Sequence, residues 1–145
     1  MKSMTFWGRN EHDERLLVEC LLGLKTATCT PKIWYDALPE EELGVVGTQF
    51  EVYTKKGIHA CTIETTEIIE IKFGDIKGTI GEKIAKAENS SLDQFTRDHI
   101  FTWKNSLLEE GSELNEDTPI IVEFFKLVDT KIDFRELGHR ISVLL

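Results

Sequence analysis

The residues best suited to chemistry lie in one short segment, Gly23–Thr28. Lys25 offers an amine and Thr28 a hydroxyl, directly after a glycine that can end a helix with a left-handed residue. In a regular strand two residues three apart point to opposite faces, so these side chains converge only if the chain turns or bulges here. With a turn, the pair can act as a nucleophile and a charge-stabilising cation. Without one, the segment is a helix end before a threonine-rich edge strand with a solvated lysine, and the residues alone leave both interpretations open.

Other candidates lie outside this segment. Glu88 stands between two helical patterns, where a carboxylate can reach into a cleft as a general acid or base. Most glutamates in such places are simply solvated. Cys29 can be a nucleophile if a base forms its thiolate. His99 falls on the apolar stripe of a helical pattern, and we interpret it as a packed or hydrogen-bonded core residue.

Neither a metal nor a cofactor is expected. The four histidines lack metal-ligand spacing, and the chain has no P-loop, dinucleotide glycine motif, HExxH or zinc pattern. Tryptophan side chains can stack on a nucleobase. Trp7 and Trp34 suit this role, although both suit a core or a cleft wall equally well.

The composition and charge of the chain limit the kinds of partner that it can bind. The 145 residues fit one domain, and 41% hydrophobic with 30% charged residues is typical of a globular protein. A formal net charge of −9 argues against extended duplex nucleic acid and favours a small ligand or a short single strand. No apolar run approaches the roughly 20 residues that cross a bilayer, so no membrane partner is expected. Three widely spaced cysteines indicate a reduced, cytoplasmic setting. The oligomeric state is not indicated.

Periodicity predicts the elements that position the candidates. A helix capped by Asn10 begins near residue 11 and ends at Gly23, and an extended stretch then runs to Pro31. Ser91 with Gln94 forms a capping box that opens a long helix. The remaining predictions are strands at Thr48–Thr54, Ile58–Glu64, Glu67–Phe73 and Pro119–Val128 and a short helix at Gly81–Glu88. This order predicts an α+β domain with a small curved sheet or barrel and helices at its side.

Together these residues resemble the ASCH family, whose fold is related to the PUA domain. The most specific match is the G-x-K-x-x-T signature, present as Gly23, Lys25 and Thr28. Supporting stretches in the same order are Val46-Gly47, Cys61–Glu64 with Thr66, Ser91-Leu92 and Val122–Phe124. The chain departs from the family pattern at Phe6–Asn10, at Thr48 and at Phe95-Thr96. The resemblance implies a PUA-like small β-barrel of five or six strands with flanking helices over residues 5–130. Residues 131–145 would be a C-terminal tail, either a docked segment or residues outside the domain.

The resemblance also implies a function. A short bacterial branch of the family hydrolyses N4-acetylcytidine with the motif lysine and threonine and a glutamate in an A-x-x-E-N stretch, and Ala85–Asn89 carries this pattern. Thr28 would attack the carbonyl, Glu88 would protonate the leaving amine, and Lys25 would be a base or an oxyanion stabiliser. Ligand contacts are expected from Gly23, Thr26, Trp7 and Trp34.

The predicted function is therefore binding and hydrolysis of an acylated nucleoside or a similar small RNA-derived ligand. One alternative is a module that binds single-stranded or modified RNA without turnover. A second alternative is a metal-dependent ribonuclease, for which no ligand cluster is visible in the sequence.

Overall fold

A single mixed sheet organises the part of the chain that the structure describes. The computed structural model describes residues 2–7 and 10–131. The strands are β1 (Lys2–Met4), β2 (Ala27–Pro31), β3 (Gln49–Tyr53), β4 (His59–Lys72) and β5 (Pro119–Thr130). The helices are α1 (Arg15–Leu21), α2 (Lys32–Tyr35), α3 (Gly78–Ala87) and α4 (Leu92–Glu109). The strand order is β1-β3-β4-β5-β2, with β1 parallel to β3 and the other neighbours antiparallel.

The sheet is open within the described residues, which corrects the barrel expected from the resemblance. β1 and β2 lie at its two ends and do not pair with each other. Just before β2, Lys25 forms a β-bridge with Glu88, and the amide of Thr26 donates to the carbonyl of Ala87 at 2.6 Å. The end of α3 therefore lies beside the start of this edge strand. The α+β class is confirmed.

The two strands expected at Ile58–Glu64 and Glu67–Phe73 are one continuous strand, β4. Its pairing with β5 shifts register between Thr62 and Ile63 and again between Thr65 and Glu67. Each shift is a bulge or irregularity, and bulges bend a strand and increase its twist. The sequence pattern breaks there because the side-chain alternation slips, although the strand itself continues.

Two local signals are confirmed. Gly23 has a φ of 75°, and its amide donates to the carbonyl of Cys20, which ends α1 as expected. Ser91 caps α4 by accepting a hydrogen bond from the amide of Gln94 at 3.2 Å. Asn10 instead closes a turn by accepting from the amide of His12, and α1 begins only at Arg15.

The core has two apolar clusters, and β5 contributes to both. Val122 and Phe124 pack in the cluster that includes buried residues of α3 and α4. Phe125 packs in the other cluster, with Phe6 and buried residues of α1, β3 and β4. In the described residues no helix combines the length and apolar character needed to cross a membrane. The expected tail begins at Lys131, and its residues 132–145 lie outside the described part.

Candidate active site

Turns at the ends of α1 and α3 bring Lys25 and Glu88 together. After Gly23, the amide of Lys25 donates to the carbonyl of Glu19 at 3.1 Å, which holds the segment against α1. Glu88 immediately follows α3, and Asn89 with a φ of 56° turns the chain toward α4. The β-bridge between Lys25 and Glu88 joins these two turns.

The two side chains form a buried ion pair. Nζ of Lys25 lies 3.1 Å from Oε1 of Glu88 and donates to the carbonyl oxygen of Ala27 at 2.6 Å. The side chains are 3% and 12% exposed. Burial opposes the ionisation of Glu88, but Lys25 and His99 outweigh it and lower its pKa to about 2. Glu88 is therefore a carboxylate at neutral pH, and in the resting site it can accept a proton.

His99 of α4 faces the other carboxylate oxygen. Its Nε2 lies 3.4 Å from Oε2 of Glu88, and its Nδ1 lies 2.7 Å from the carbonyl oxygen of Phe95. The ring packs between Phe95 and Trp103, with centroid distances of 4.0 and 4.5 Å. The interpretation of His99 as a packed, hydrogen-bonded residue is confirmed, while its contact with Glu88 was not predicted.

One oxygen of this site has no hydrogen-bond partner among the described residues. Oε2 of Glu88 is buried, and its distance of 3.4 Å to His99 exceeds the usual range of an N–H···O hydrogen bond. Leaving a buried charged oxygen unsatisfied is costly. This oxygen is therefore the group of the site best placed to receive a hydrogen bond or a proton from a ligand.

Cys29 also contacts Glu88. Burial, followed by the charge and hydrogen bond of Glu88, raises the pKa of the Cys29 thiol well above its usual range. The thiol is therefore neutral at physiological pH. Because the thiolate is the reactive form, the alternative of Cys29 as a nucleophile loses support.

Thr28 lies close to the ion pair but on a different face of β2. The ammonium of Lys25 binds the carbonyl of Ala27, which belongs to the peptide bond leading into Thr28. Neighbouring residues of a strand point to opposite faces, so the side chains of Thr28 and Cys29 diverge. In the described residues no hydrogen bond joins Thr28 to Lys25 or Glu88. The convergence of Lys25 and Thr28 that the sequence left open is therefore not seen among the described side chains.

The structure adds Glu123, which the sequence reasoning did not consider as a site residue. Glu123 pairs with Thr28 in the β2–β5 register, and facing residues of antiparallel strands share one face. Burial raises the pKa of Glu123 to about 7, which suits a general base at neutral pH. The sequence feature that could have identified Glu123 is its position as the one charged residue within the apolar run from Ile120 to Phe125.

The expected ligand-contacting residues are spread around this site. Gly23 lies in the turn that ends α1, and Thr26 bonds through its backbone to Ala87 and Phe125. Trp7 is 78% exposed and follows Phe6, whose ring centroid lies 5.8 Å from Nζ of Lys25. Trp34 is half-buried on the α3–α4 side of the core, and its indole N–H donates to Glu110. No three His, Cys, Asp or Glu side chains within residues 2–7 and 10–131 are grouped so that they could hold a metal ion.

Comparisons with known proteins agree with this fold. A family model described as ASCH domain matches residues 2–129. The chain is similar to the ASCH domain from Lactobacillus crispatus, with 25% identity, a TM-score of 0.70, and coverage of 88% of this chain and 80% of that chain. It is also similar to protein EF3133 from Enterococcus faecalis, with 22% identity, a TM-score of 0.72, and coverage of 96% of this chain and 82% of that chain.

A more distant structural neighbour is hypothetical protein PH0355, with 8% identity and a TM-score of 0.54 over 88% of this chain and all of that chain. At these identities, PH0355 and EF3133 indicate a shared fold only. No curated protein matches the sequence.

Proposed function

The chain belongs to the ASCH domain family, and we propose that the site around Lys25 and Glu88 binds an acylated nucleoside or a similar RNA-derived ligand and hydrolyses its amide bond. The observation that carries this proposal is the buried, ionised carboxylate of Glu88, whose Oε2 has no hydrogen bond of usual length among the described residues. The ionised carboxylate can accept the proton of an attacking hydroxyl, and its low pKa makes it a weaker base but a stronger acid than a free glutamate. Lys25 of the ASCH signature adjoins Glu88, and this match to the family supports an amide as the substrate group.

The proton transfers of this reaction are assigned to Glu88. As the nucleophile forms its bond to the acyl carbon, its O–H bond breaks and the proton moves to Glu88. As the C–N bond breaks, its electron pair goes to the nitrogen, which takes that proton from Glu88 and leaves as the amine. Glu88 thus begins as a base and becomes the acid, which refines the purely acidic role expected from the sequence.

Lys25 is assigned to the developing oxyanion. Its ammonium has three hydrogens, and Ala27 and Glu88 account for two acceptors in the resting site. A further N–H can stabilise the carbonyl oxygen as negative charge accumulates on it. A charged lysine that is already held in place needs little rearrangement at that moment, so we favour this role over that of a base.

Two nucleophiles are compatible with the geometry. A water can lose its proton to Glu88, on the face of β2 that Cys29 shares. Thr28 lies on the opposite face, so its proton would pass to its register partner Glu123, whose pKa burial raises to about 7, and from there to the leaving amine. In this second route the acyl group forms an ester with Thr28, and a water then releases it as the acid. Substituting Thr28 by serine keeps the hydroxyl, and substituting it by alanine removes it. Turnover that survives Thr28→Ala would favour the water.

The second candidate function, RNA binding without turnover, is favoured by one observation. Trp7 is 78% exposed and lies next to Phe6, which contacts the Lys25 side of the site. An exposed aromatic ring can stack on an unpaired base. This arrangement serves a bound strand as well as a single nucleoside.

The experiment that separates the two functions uses two assays on the same protein. The first measures acetate release from N4-acetylcytidine, and the second measures filter binding of a short single-stranded RNA across a salt series. We expect acetate release from the nucleoside. Salt-dependent RNA binding without any acetate release would favour the binding module and overturn the hydrolase.

A further inference from the structure

The hydrogen bond of His99 to Phe95 fixes where one imidazole proton lies. Nδ1 of His99 is 2.7 Å from the carbonyl oxygen of Phe95. A carbonyl oxygen only accepts hydrogen bonds, so Nδ1 must carry the hydrogen. If the imidazole were neutral, Nε2 would then hold a lone pair. That nitrogen is the atom that faces Oε2 of Glu88 at 3.4 Å.

A lone pair on Nε2 does not suit this contact. Oε2 of Glu88 is buried and negatively charged, and it has no hydrogen-bond partner within the described residues. Two acceptors facing each other in a buried site repel, because neither can turn to water. One added proton on Nε2 turns the repulsion into an ion pair. A proton on Glu88 would do the same, but the adjacent Lys25 favours the ionised carboxylate.

We propose that His99 is a doubly protonated positioning residue, whose Nε2–H faces Oε2 of Glu88 and holds that carboxylate ionised and in a fixed orientation. The groups that face this contact are Lys25 and Cys29 from the β2 side and Glu88 from the end of α3, while Phe95 and Trp103 of α4 supply apolar surfaces. The neutral thiol of Cys29 adds no charge. Two cations therefore flank one carboxylate, and the resting site carries a net positive charge.

The consequence for catalysis rests on the proposed function. Without the Nε2 hydrogen the repulsion would return, and Oε2 of Glu88 would lose its orientation. Removing this donor should therefore lower turnover through kcat, because the substrate-binding groups are unchanged. His99 would act only through Glu88, so the Michaelis constant should hardly change.

The protonation state can be tested without a substrate. Long-range ¹H–¹⁵N spectra of the labelled protein at neutral pH should show both nitrogens of His99 protonated. Glu88→Gln should convert His99 to the neutral form with hydrogen on Nδ1, because the amide that replaces the carboxylate can donate to Nε2. His12→Gln serves for assignment and as a control, since His12 is exposed and should leave the His99 signals unchanged. A neutral His99 in the unsubstituted protein would overturn the proposal.

Kinetics test the positioning role. His99→Gln keeps a donor without the charge, and His99→Phe keeps a ring without a donor. We expect His99→Phe to lower kcat by about 10- to 100-fold, the range found for residues that orient a catalytic group, with a nearly constant Michaelis constant. His99→Gln should recover part of kcat.

A wild-type kcat in both variants, with melting temperatures showing that they fold, would overturn the positioning role. Absence of turnover in the unsubstituted protein would count against the proposed function alone, because the spectra decide the state of His99 independently.

Discussion

Breaking the Lys25–Glu88 ion pair should cost far more stability than breaking an exposed pair of the same length. At the observed 3.1 Å and an effective dielectric constant of about 20, two unit charges attract by about 5 kcal/mol. Glu88→Gln leaves the charge of Lys25 buried and without its ion-pair partner, which should lower the free energy of unfolding by about 3–5 kcal/mol. Lys25→Met should cost less, because His99 still faces the carboxylate of Glu88. The double variant should lower the free energy of unfolding by clearly less than the sum of the losses in the two single variants.

The exposed pair Lys83–Glu67 is the matched control. Its atoms are 3.0 Å apart, but its side chains are 54% and 47% exposed. Water and side-chain entropy reduce such pairs to less than about 1 kcal/mol. Urea unfolding, followed by tryptophan fluorescence, gives the coupling energy from a double-mutant cycle on each pair. Equal coupling energies for the two pairs, or a coupling below about 1 kcal/mol for Lys25 and Glu88, would refute the reasoning.

Three further predictions concern separate parts of the molecule. Burial raises the folded-state pKa of Glu123 to about 7, so its contribution to stability is complete below the usual pKa of 4.5 and is lost as the pH rises through 7. Glu123→Gln should therefore narrow the difference between the unfolding free energies at about pH 5 and about pH 8. An unchanged difference would count against burial of this carboxyl. Ser91→Ala should cost about 1 kcal/mol in urea unfolding through loss of the α4 cap, and a cost near zero would show that the cap is unimportant. Cys20 and Cys61 are buried and Cys29 is a neutral thiol, so the native protein should resist modification by iodoacetamide at neutral pH. Mass spectrometry should find all three cysteines modified in urea. Rapid labelling of Cys29 in the native protein would indicate a thiolate.

The elements that the sequence predicted correctly depend on signals within a few residues. A left-handed glycine ends α1, and the Ser91 hydroxyl binds an amide three residues later. Local chemistry suffices for both. Strand β4 was divided wrongly because its bulges interrupt the period-two pattern that identifies a strand. β1 and α2 have only three and four residues, too few to show a period.

The open sheet and the full site depend on long-range contacts. β1 and β2 lie at opposite ends of the strand order, and Lys25, just before β2, contacts Glu88, which is 63 positions away in the sequence. The sequence linked these two only through the family resemblance. A histidine on an apolar stripe has the same pattern whether or not it faces a carboxylate, so His99 could not be assigned from spacing.

The most direct test of the proposed hydrolysis is the rate of acetate release from N4-acetylcytidine by Glu88→Gln and Glu82→Gln. Both variants replace a carboxylate by an amide, but Glu82 is an exposed residue of α3 away from the ion pair. We expect Glu82→Gln to match the unsubstituted protein. Glu88→Gln should lose about 100-fold or more in kcat, the usual contribution of a general acid–base residue. Equal rates in the two variants would contradict the assignment of proton transfer to Glu88.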